Sequence, residues 1–203
     1  WALALSAFSV LYASWMAIGQ KRMKLLLAWS SVAHLGVLSA GILSGTVQGV
    51  QGGVFEMFSH GILTVGLFFV YDIIQRRMAT DEMAKLGGIR EVNPLFAFLF
   101  FALVMASVAL PFTSGFVGEF MMLMGLYQVS PMWTAAAGLT VVLGAVYMLR
   151  VFQTAMLGGA NTHTQGFAAL TGQEKLVLSL VVALVVLLGR SEEHTSELQS
   201  PCN

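Results

Sequence analysis

Most of this chain is arranged in apolar stretches that are long enough to cross a lipid bilayer. A hydrocarbon core about 30 Å thick is spanned by roughly 20 helical residues, and lipid offers the backbone no hydrogen-bond partners. Such stretches therefore fold into helices, which satisfy their own amides and carbonyls. Only 10% of the 203 residues are charged, against about 25% in soluble domains. These observations predict an all-α, polytopic transmembrane helix bundle with about six spans, at residues 1–19, 25–43, 49–74, 94–128, 131–150 and 176–189.

The fourth span contains a predicted helix break. Pro111 lacks a backbone donor and clashes with the preceding helical turn, while Gly115 and Gly118 tolerate backbone dihedrals that other residues avoid. Thr113 and Ser114 are suited to cap a helix that restarts after the break. The span is therefore expected to be a discontinuous helix made of two halves. In a bilayer such a break is tolerated only where it is buried in protein or lines a watery cavity.

Glu119 follows the break and is expected near the middle of the membrane. An unpaired charge at that depth costs about 2.5–3.5 kcal/mol on insertion scales, so an intramembrane carboxylate is a candidate functional group. Discontinuous helices are also typical of ion-transport sites. The alternative is a protonated glutamate that only forms a structural hydrogen bond.

Two histidines and a second glutamate are expected at a similar depth. His34 and His60 are equally distant in sequence from Val47, at the tip of the turn between the second and third spans. Glu56 precedes His60 by one helical turn and shares its face. Because histidine exchanges protons near neutral pH, these side chains and Glu119 are predicted to form a proton relay. The alternative is that the imidazoles only hydrogen-bond the helices together.

The positions of the charged residues indicate the membrane topology. Basic residues are concentrated in the connections after the first and third spans and at the end of the fifth, whereas the second and fourth connections contain none. By the positive-inside rule, the basic connections face the cytoplasm. The alternation holds only if the broken span crosses the membrane once.

Other classes of function find no support in the sequence. The single cysteine, Cys202, provides neither a disulfide framework nor a cysteine-ligated cluster, and no phosphate-binding glycine motif is present. The net charge of zero and the lack of a basic tract disfavour nucleic-acid binding. No metal or cofactor is expected in this chain, so any redox or nucleotide chemistry is expected elsewhere.

Both ends are expected to differ from those of the natural protein. Trp1 already lies within an apolar span, so the start of the protein is expected to be missing. Residues 190–203 resemble the translation of a common sequencing adapter. The transmembrane domain is therefore assigned to residues 1–189, and residues 190–203 are interpreted as a non-native tail that includes His194 and Cys202.

Three segments together resemble one known family. The segment KLLLAWSSVAHLG at residues 24–36 is similar to the family pattern K-x-L-x-A-Y-S-S-x-x-H-M-G, and EMFSHG at 56–61 is similar to its M-x-x-H-G segment. The stretch 110–120 resembles the broken helix of the same family. In this order and spacing, the segments resemble the antiporter-like membrane subunits of respiratory complex I, most closely the M-type. A glutamate at position 119 is typical of that type, since sister subunits carry lysine there.

The resemblance implies that this chain is the second half of a subunit with fourteen spans. It implies that Glu119 is the terminal carboxylate of a proton path and that His34 and His60 belong to a central polar axis. The function implied is proton translocation by a non-redox membrane subunit of NADH:quinone oxidoreductase in the bacterial inner membrane. NADH, FMN, iron–sulfur clusters and quinone are expected on partner subunits, and the other membrane-arm subunits and the lipid bilayer are the expected partners.

Two related complexes offer alternative functions. One is a multi-subunit sodium/proton antiporter, which works without electron transfer, and the other is the membrane arm of an energy-converting hydrogenase. A purely structural membrane scaffold is a third alternative, which the line of buried polar residues disfavours. One segment departs from the family, because residues 75–81 lack the Tyr-Glu-Arg and His-Thr-Arg that relatives often carry.

Overall fold

The protein is a bundle of α-helices. The computed structural model describes residues 1–159, 164 and 166–198, with the side chains of 191–198 left aside. Five of the described helices are long and apolar enough to cross a membrane, and α5 is a shorter apolar helix. In order, the helices are α1 (Ala2–Gly19), α2 (Met23–Leu43), α3 (Val47–Met78), α4 (Ile89–Val92), α5 (Pro94–Ser107), α6 (Ser114–Val129), α7 (Pro131–Met156) and α8 (Gly172–Leu198).

Local sequence signals set several helix starts. Thr46 caps α3 by accepting a hydrogen bond from the amide of Gly49, with an Oγ1 to N distance of 3.1 Å. Asn93 caps α5 in the same way through Phe96, also at 3.1 Å. Pro94 and Pro131 occupy the first turns of α5 and α7, where a missing amide proton costs nothing.

The helix is interrupted where the sequence predicts a break. α5 has 14 residues and α6 has 16, which correspond to about 21 Å and about 24 Å at 1.5 Å per residue. Each is shorter than a hydrocarbon core of about 30 Å, so the two helices together make one crossing. With the five longer helices this gives the six predicted spans.

The backbone of the break differs from the prediction in detail. Gly115 and Gly118 are helical residues of α6, and the left-handed conformations belong to Ala109 (φ 56°) and Phe112 (φ 75°). Thr113 occupies the N-cap position of α6, but its hydroxyl donates to the carbonyl of Leu110 at 2.7 Å and caps no amide. The prediction was wrong on these points because the left-handed residues fall in the turn before α6, where no glycine is available.

The connections sort onto two sides of the bundle, as the charge pattern predicts. The Arg22 guanidinium is paired with Asp81 at 2.9 Å, and Arg150 donates to the carbonyl of Ile18 at 2.7 Å, so the three basic connections meet. At the other side, Gln128 at the end of α6 donates to Gln48 at the start of α3. The α5–α6 pair therefore runs from one side of the bundle to the other once.

Several observed helices end beyond the predicted spans, among them α7, which continues to Met156. α3 begins at Val47 and continues to Met78, past the predicted end at residue 74. α8 continues to Leu198, beyond the apolar run that ends at residue 189. Part of the proposed tail is thus helical, residues 199–203 including Cys202 lie outside the described residues, and the origin of the tail stays a prediction.

Candidate functional site

The four predicted polar residues form one buried cluster between α2, α3 and α6. His34 Nδ1 lies 3.1 Å from Glu119 Oε1, and their side chains are 12% and 8% exposed. The His34 and His60 rings lie 5.1 Å apart between centroids. Glu56, His34 and His60 each place one ligand atom within 4.8 Å of the others. The two histidines, which are far apart in sequence, are thus brought together, as their equal distances from Val47 predict.

The contacts within the cluster are unequal. His60 Nε2 shares a hydrogen bond with Thr64 Oγ1 at 3.2 Å, which anchors this imidazole to its own helix. The Glu56 side chain is buried, and its Oε2 has no hydrogen-bond partner among the described residues. Burying a carboxylate oxygen without a hydrogen-bond donor costs free energy. Glu56 is therefore expected to bind a proton or to accept a hydrogen bond from another donor.

The first turns of α6, just after the helix break, pack closely against α3. The Ser59 hydroxyl donates to the Ser114 hydroxyl at 2.7 Å, and both residues are almost fully buried. Gly118 packs directly on Glu56, because a Cβ atom at position 118 would lie 2.9 Å from the Cβ of Glu56. A Cβ atom at position 115 would lie 2.6 Å from the carbonyl oxygen of Ala106 in the preceding half-helix. The two glycines therefore serve close packing and not unusual dihedrals.

Two cavities adjoin the cluster. The first has a volume of about 20 Å³. It is lined by the four polar residues together with Ser30, Ser31, Thr64 and Ser107. The second lies towards α7 and measures about 10 Å³ in the same way. A buried water needs roughly 10–15 Å³ of such space and two to four polar partners. The cluster is therefore polar and has room for isolated waters.

The cluster also has the donors that a metal ion would require. Two imidazoles and a carboxylate within 4.8 Å resemble a three-ligand set for a transition metal. One nitrogen of each imidazole is already engaged, by Glu119 and by Thr64 respectively. Acid and base groups in mutual contact suit the transfer of protons without a metal.

Three features of the site were missed in the sequence. Ser107 and Thr140 line the second cavity, and the buried Tyr147 hydroxyl accepts a hydrogen bond from Ser30 at 3.2 Å. The signal in the sequence was a polar side chain within an apolar span. Polar residues that only form a hydrogen bond within their own helix give the same signal. Sequence alone does not separate the two cases.

The matching family model is described as "NADH:quinone oxidoreductase/Mrp antiporter, TM" and covers residues 1–144, more than half of the chain. The chain belongs to this family. It is therefore an integral membrane protein of the antiporter-like class, in agreement with its apolar helices.

Relatives within the family place the chain more closely. It is 39% identical over 186 residues to NADH-quinone oxidoreductase subunit M of Rickettsia prowazekii, a match that covers 91% of this chain and 38% of the relative. The structure of respiratory complex I from Thermus thermophilus with bound NADH contains a chain of 36% identity with a TM-score of 0.87, covering 93% of this chain and 40% of the other. The chain thus spans about two-fifths of the length of these relatives.

A more distant relative shares the fold. The structure of the Mrp complex from Dietzia contains a chain with a TM-score of 0.85 at 19% identity, covering 97% of this chain and 45% of the other. At this identity the likeness shows a shared fold and no more.

Proposed function

We propose that this chain is part of a proton-translocating, non-redox membrane subunit of an NADH:quinone oxidoreductase. Protons enter from the cytoplasmic side, pass groups that include His34, His60 and Glu56, and exchange at Glu119. The identity of 39% with an oxidoreductase subunit M supports this assignment.

One observation carries the proposal: the buried contact of 3.1 Å between His34 and Glu119, with His60 and Glu56 beside it. In a low-dielectric interior, charges are tolerated when they are paired, so a proton gained or lost at one group changes the preferred state of its neighbours. A carboxylate and an imidazole in contact can both take and release protons. A change of charge elsewhere in the assembly can therefore drive a proton through this cluster.

The proposed assembly divides the labour between subunits. NADH, FMN, iron–sulfur clusters and quinone belong to partner subunits, and this chain contributes to the enzyme by coupling their electron transfer to proton movement. The proposed location is the bacterial inner membrane, where the bundle contacts lipid and other membrane-arm subunits. The solved relatives come from multi-subunit complexes, which supports this arrangement.

The sodium/proton antiporter and the energy-converting hydrogenase remain the alternatives. The identity of 36% with the chain from complex I, against 19% with the chain from the Mrp complex, favours the oxidoreductase. An antiporter subunit would move protons in response to a sodium gradient and without NADH. A hydrogenase subunit would respond to hydrogen and not to NADH.

The test is NADH-driven proton uptake by inverted membrane vesicles that contain the full-length parent in its assembled complex. Glu119→Gln keeps the size of the side chain and removes its exchangeable charge. We expect proton uptake and the coupled quinone reduction to fall at least about tenfold, as is typical when a proton-transfer group is removed. The matched control is Glu82→Gln, which changes a half-exposed glutamate paired with Lys85 in a connecting loop.

The results separate the alternatives. Loss of uptake in Glu119→Gln with normal activity in the control supports the proposal. Full uptake in an assembled Glu119→Gln complex would return Glu119 to a structural role and overturn the proposal. A parent that moves protons with a sodium gradient but not with NADH would favour the antiporter.

A further inference from the structure

The second cavity borders the His34–Glu119 pair but, unlike the first, is not lined by His60. Both cavities share His34, Ser107 and Glu119 as lining residues. The remaining polar lining of the first cavity comes largely from α3, whereas the second is completed by Thr140, Val141 and Gly144 of α7. The His34–Glu119 pair therefore borders both small cavities.

Thr140 differs from two other threonines of α7. The hydroxyls of Thr134 and Thr154 donate to the carbonyls four residues earlier, Ser130 at 3.0 Å and Arg150 at 2.6 Å. This local bond is the usual way for a threonine to satisfy its hydroxyl within a helix. Thr140 is 3% exposed, yet its hydroxyl has no hydrogen-bond partner among the described residues.

A buried hydroxyl without a partner costs about 1–3 kcal/mol, so it is expected to face something that can bond to it. The adjoining cavity has a volume of about 10 Å³, which is close to what one water molecule needs. Its polar lining consists of Thr140, Glu119, His34 and Ser107, whose hydroxyl donates to Val104 and keeps a lone pair free. These are enough partners for one water and too little room for several.

We propose that this cavity binds one water molecule, held by the Thr140 hydroxyl against the Glu119 carboxyl group, and that this water exchanges protons with Glu119. Thr140 is then a positioning residue of the proton path. The inference rests on the proposed function, because it gives Glu119 a second exchange partner.

A second partner has a mechanistic consequence. A carboxyl group that contacts His34 alone can only return its proton to the side from which it came. With a water on the α7 side, Glu119 accepts a proton on one face and releases one to the water oxygen on the other. Glu119 can then pass a proton from one side to the other, and the driving force supplied elsewhere in the assembly sets the direction.

The experiment compares variants of the full-length parent in the assembled complex. Thr140→Val has nearly the same shape but no hydroxyl, and Thr140→Ser restores the hydroxyl. Thr134→Val is the matched control on the same helix, and Glu119→Gln is the reference for loss of the path. We expect NADH-driven proton uptake to fall about five- to tenfold in Thr140→Val, because one hydrogen bond that holds the water is lost. Uptake should stay within about twofold of the parent in Thr140→Ser and in Thr134→Val.

A second measurement tests the water directly. High-resolution cryo-electron microscopy of the complex is expected to reveal a water between Thr140 and Glu119 in the parent and in Thr140→Ser, and none in Thr140→Val. Unchanged uptake in Thr140→Val, or a parent without this water, would overturn the inference. A loss of uptake in Glu119→Gln would still support the proposed function in that case. Unchanged uptake in Glu119→Gln would overturn the proposed function and this inference with it.

Discussion

At the scale of single residues, the site depends on a few buried polar contacts. The His34–Glu119 pair joins α2 to α6, and the Ser59–Ser114 bond joins α3 to the first turn of α6. Such bonds are strong constraints on geometry in lipid, because the alternative for each group is an unpaired dipole in an apolar medium. The position of Glu119 therefore depends on Ser59 and Ser114 as well as on its own partner.

The Ser59–Ser114 bond can be tested with a double-mutant cycle. Ser59→Ala leaves the buried Ser114 hydroxyl without its donor and should cost about 1–3 kcal/mol of stability. The double variant Ser59→Ala/Ser114→Ala should cost less than the sum of the single variants, because no orphaned group remains. The measurement is thermal unfolding of the full-length parent in detergent.

The control for this cycle is Ser39→Ala, on an exposed face of α2, where the hydroxyl bonds to the carbonyl of Leu35. Its effect should stay within about 0.5 kcal/mol. Strictly additive effects of the two buried substitutions would contradict the proposed coupling.

At the scale of elements, α3 and α6 approach closely because glycines line their contact. A Cβ atom at Gly52 would lie 2.7 Å from Met121 Cβ, and one at Gly125 would lie 2.6 Å from Gly49 Cα. Helix association in membranes relies on such small residues, since lipid supplies no hydrophobic drive between helices. This contact holds Glu119 beside Glu56 and His60.

Substitution at this contact should separate the two helices. Gly52→Ala introduces a methyl group that meets the backbone of Met122 at 2.8 Å, and overpacking of this kind costs about 1–3 kcal/mol. Gly61→Ala on the same helix has nothing within 4 Å of its added atom. That control should be neutral, or stabilising by up to about 1 kcal/mol through helix propensity.

The measurement is the amount of assembled complex and its thermal midpoint, followed by proton uptake. Equal effects of Gly52→Ala and Gly61→Ala would mean that close packing of α3 on α6 is unimportant. A selective loss in Gly52→Ala supports the packing as the determinant of the site.

At the scale of the whole molecule, contacts on the basic side fix the bundle. The Arg77 guanidinium donates to Glu174 at 2.6 Å and to the carbonyl of Ala169, and lies 5.1 Å from the centre of the Phe167 ring. The pair with Glu174 is largely buried and links the end of α3 to the start of α8. Arg77, in the segment 75–81, thus has a structural role in this chain.

The neighbouring arginines allow a matched test of this link. Arg77→Ala leaves the partly buried Glu174 carboxylate with the Thr171 amide as its remaining donor. The loss of a hydrogen bond to a charged group should cost about 1.5–3 kcal/mol and reduce assembly. Arg76→Ala removes a half-exposed partner of Asp72 one turn away, and such pairs are worth about 0.5 kcal/mol. The measurement is the thermal midpoint of both variants, and equal losses would contradict the structural role of the buried pair.

Much of the topology follows from the sequence because lipid imposes strict local rules. Backbone groups must be paired within each span, so apolar stretches become helices and Pro111 ends one of them. The depth of a residue follows from its distance along a helix, and for this reason His34, His60 and Glu119 were predicted to lie together. These features need no knowledge of neighbouring helices.

The pairing within the site was decided by tertiary structure. In a membrane bundle both the lipid-facing and the buried faces are apolar, so a span carries little signal about which face turns inward. The glycine contact of α3 with α6 sets the rotation of these two helices and leaves Glu56 without a donor. The close approach of α2 to α6, where Gly41 packs on Met122, places His34 on Glu119. The cavity at Thr140 depends on the meeting of four helices, α2, α5, α6 and α7, and therefore on packing that no single span specifies.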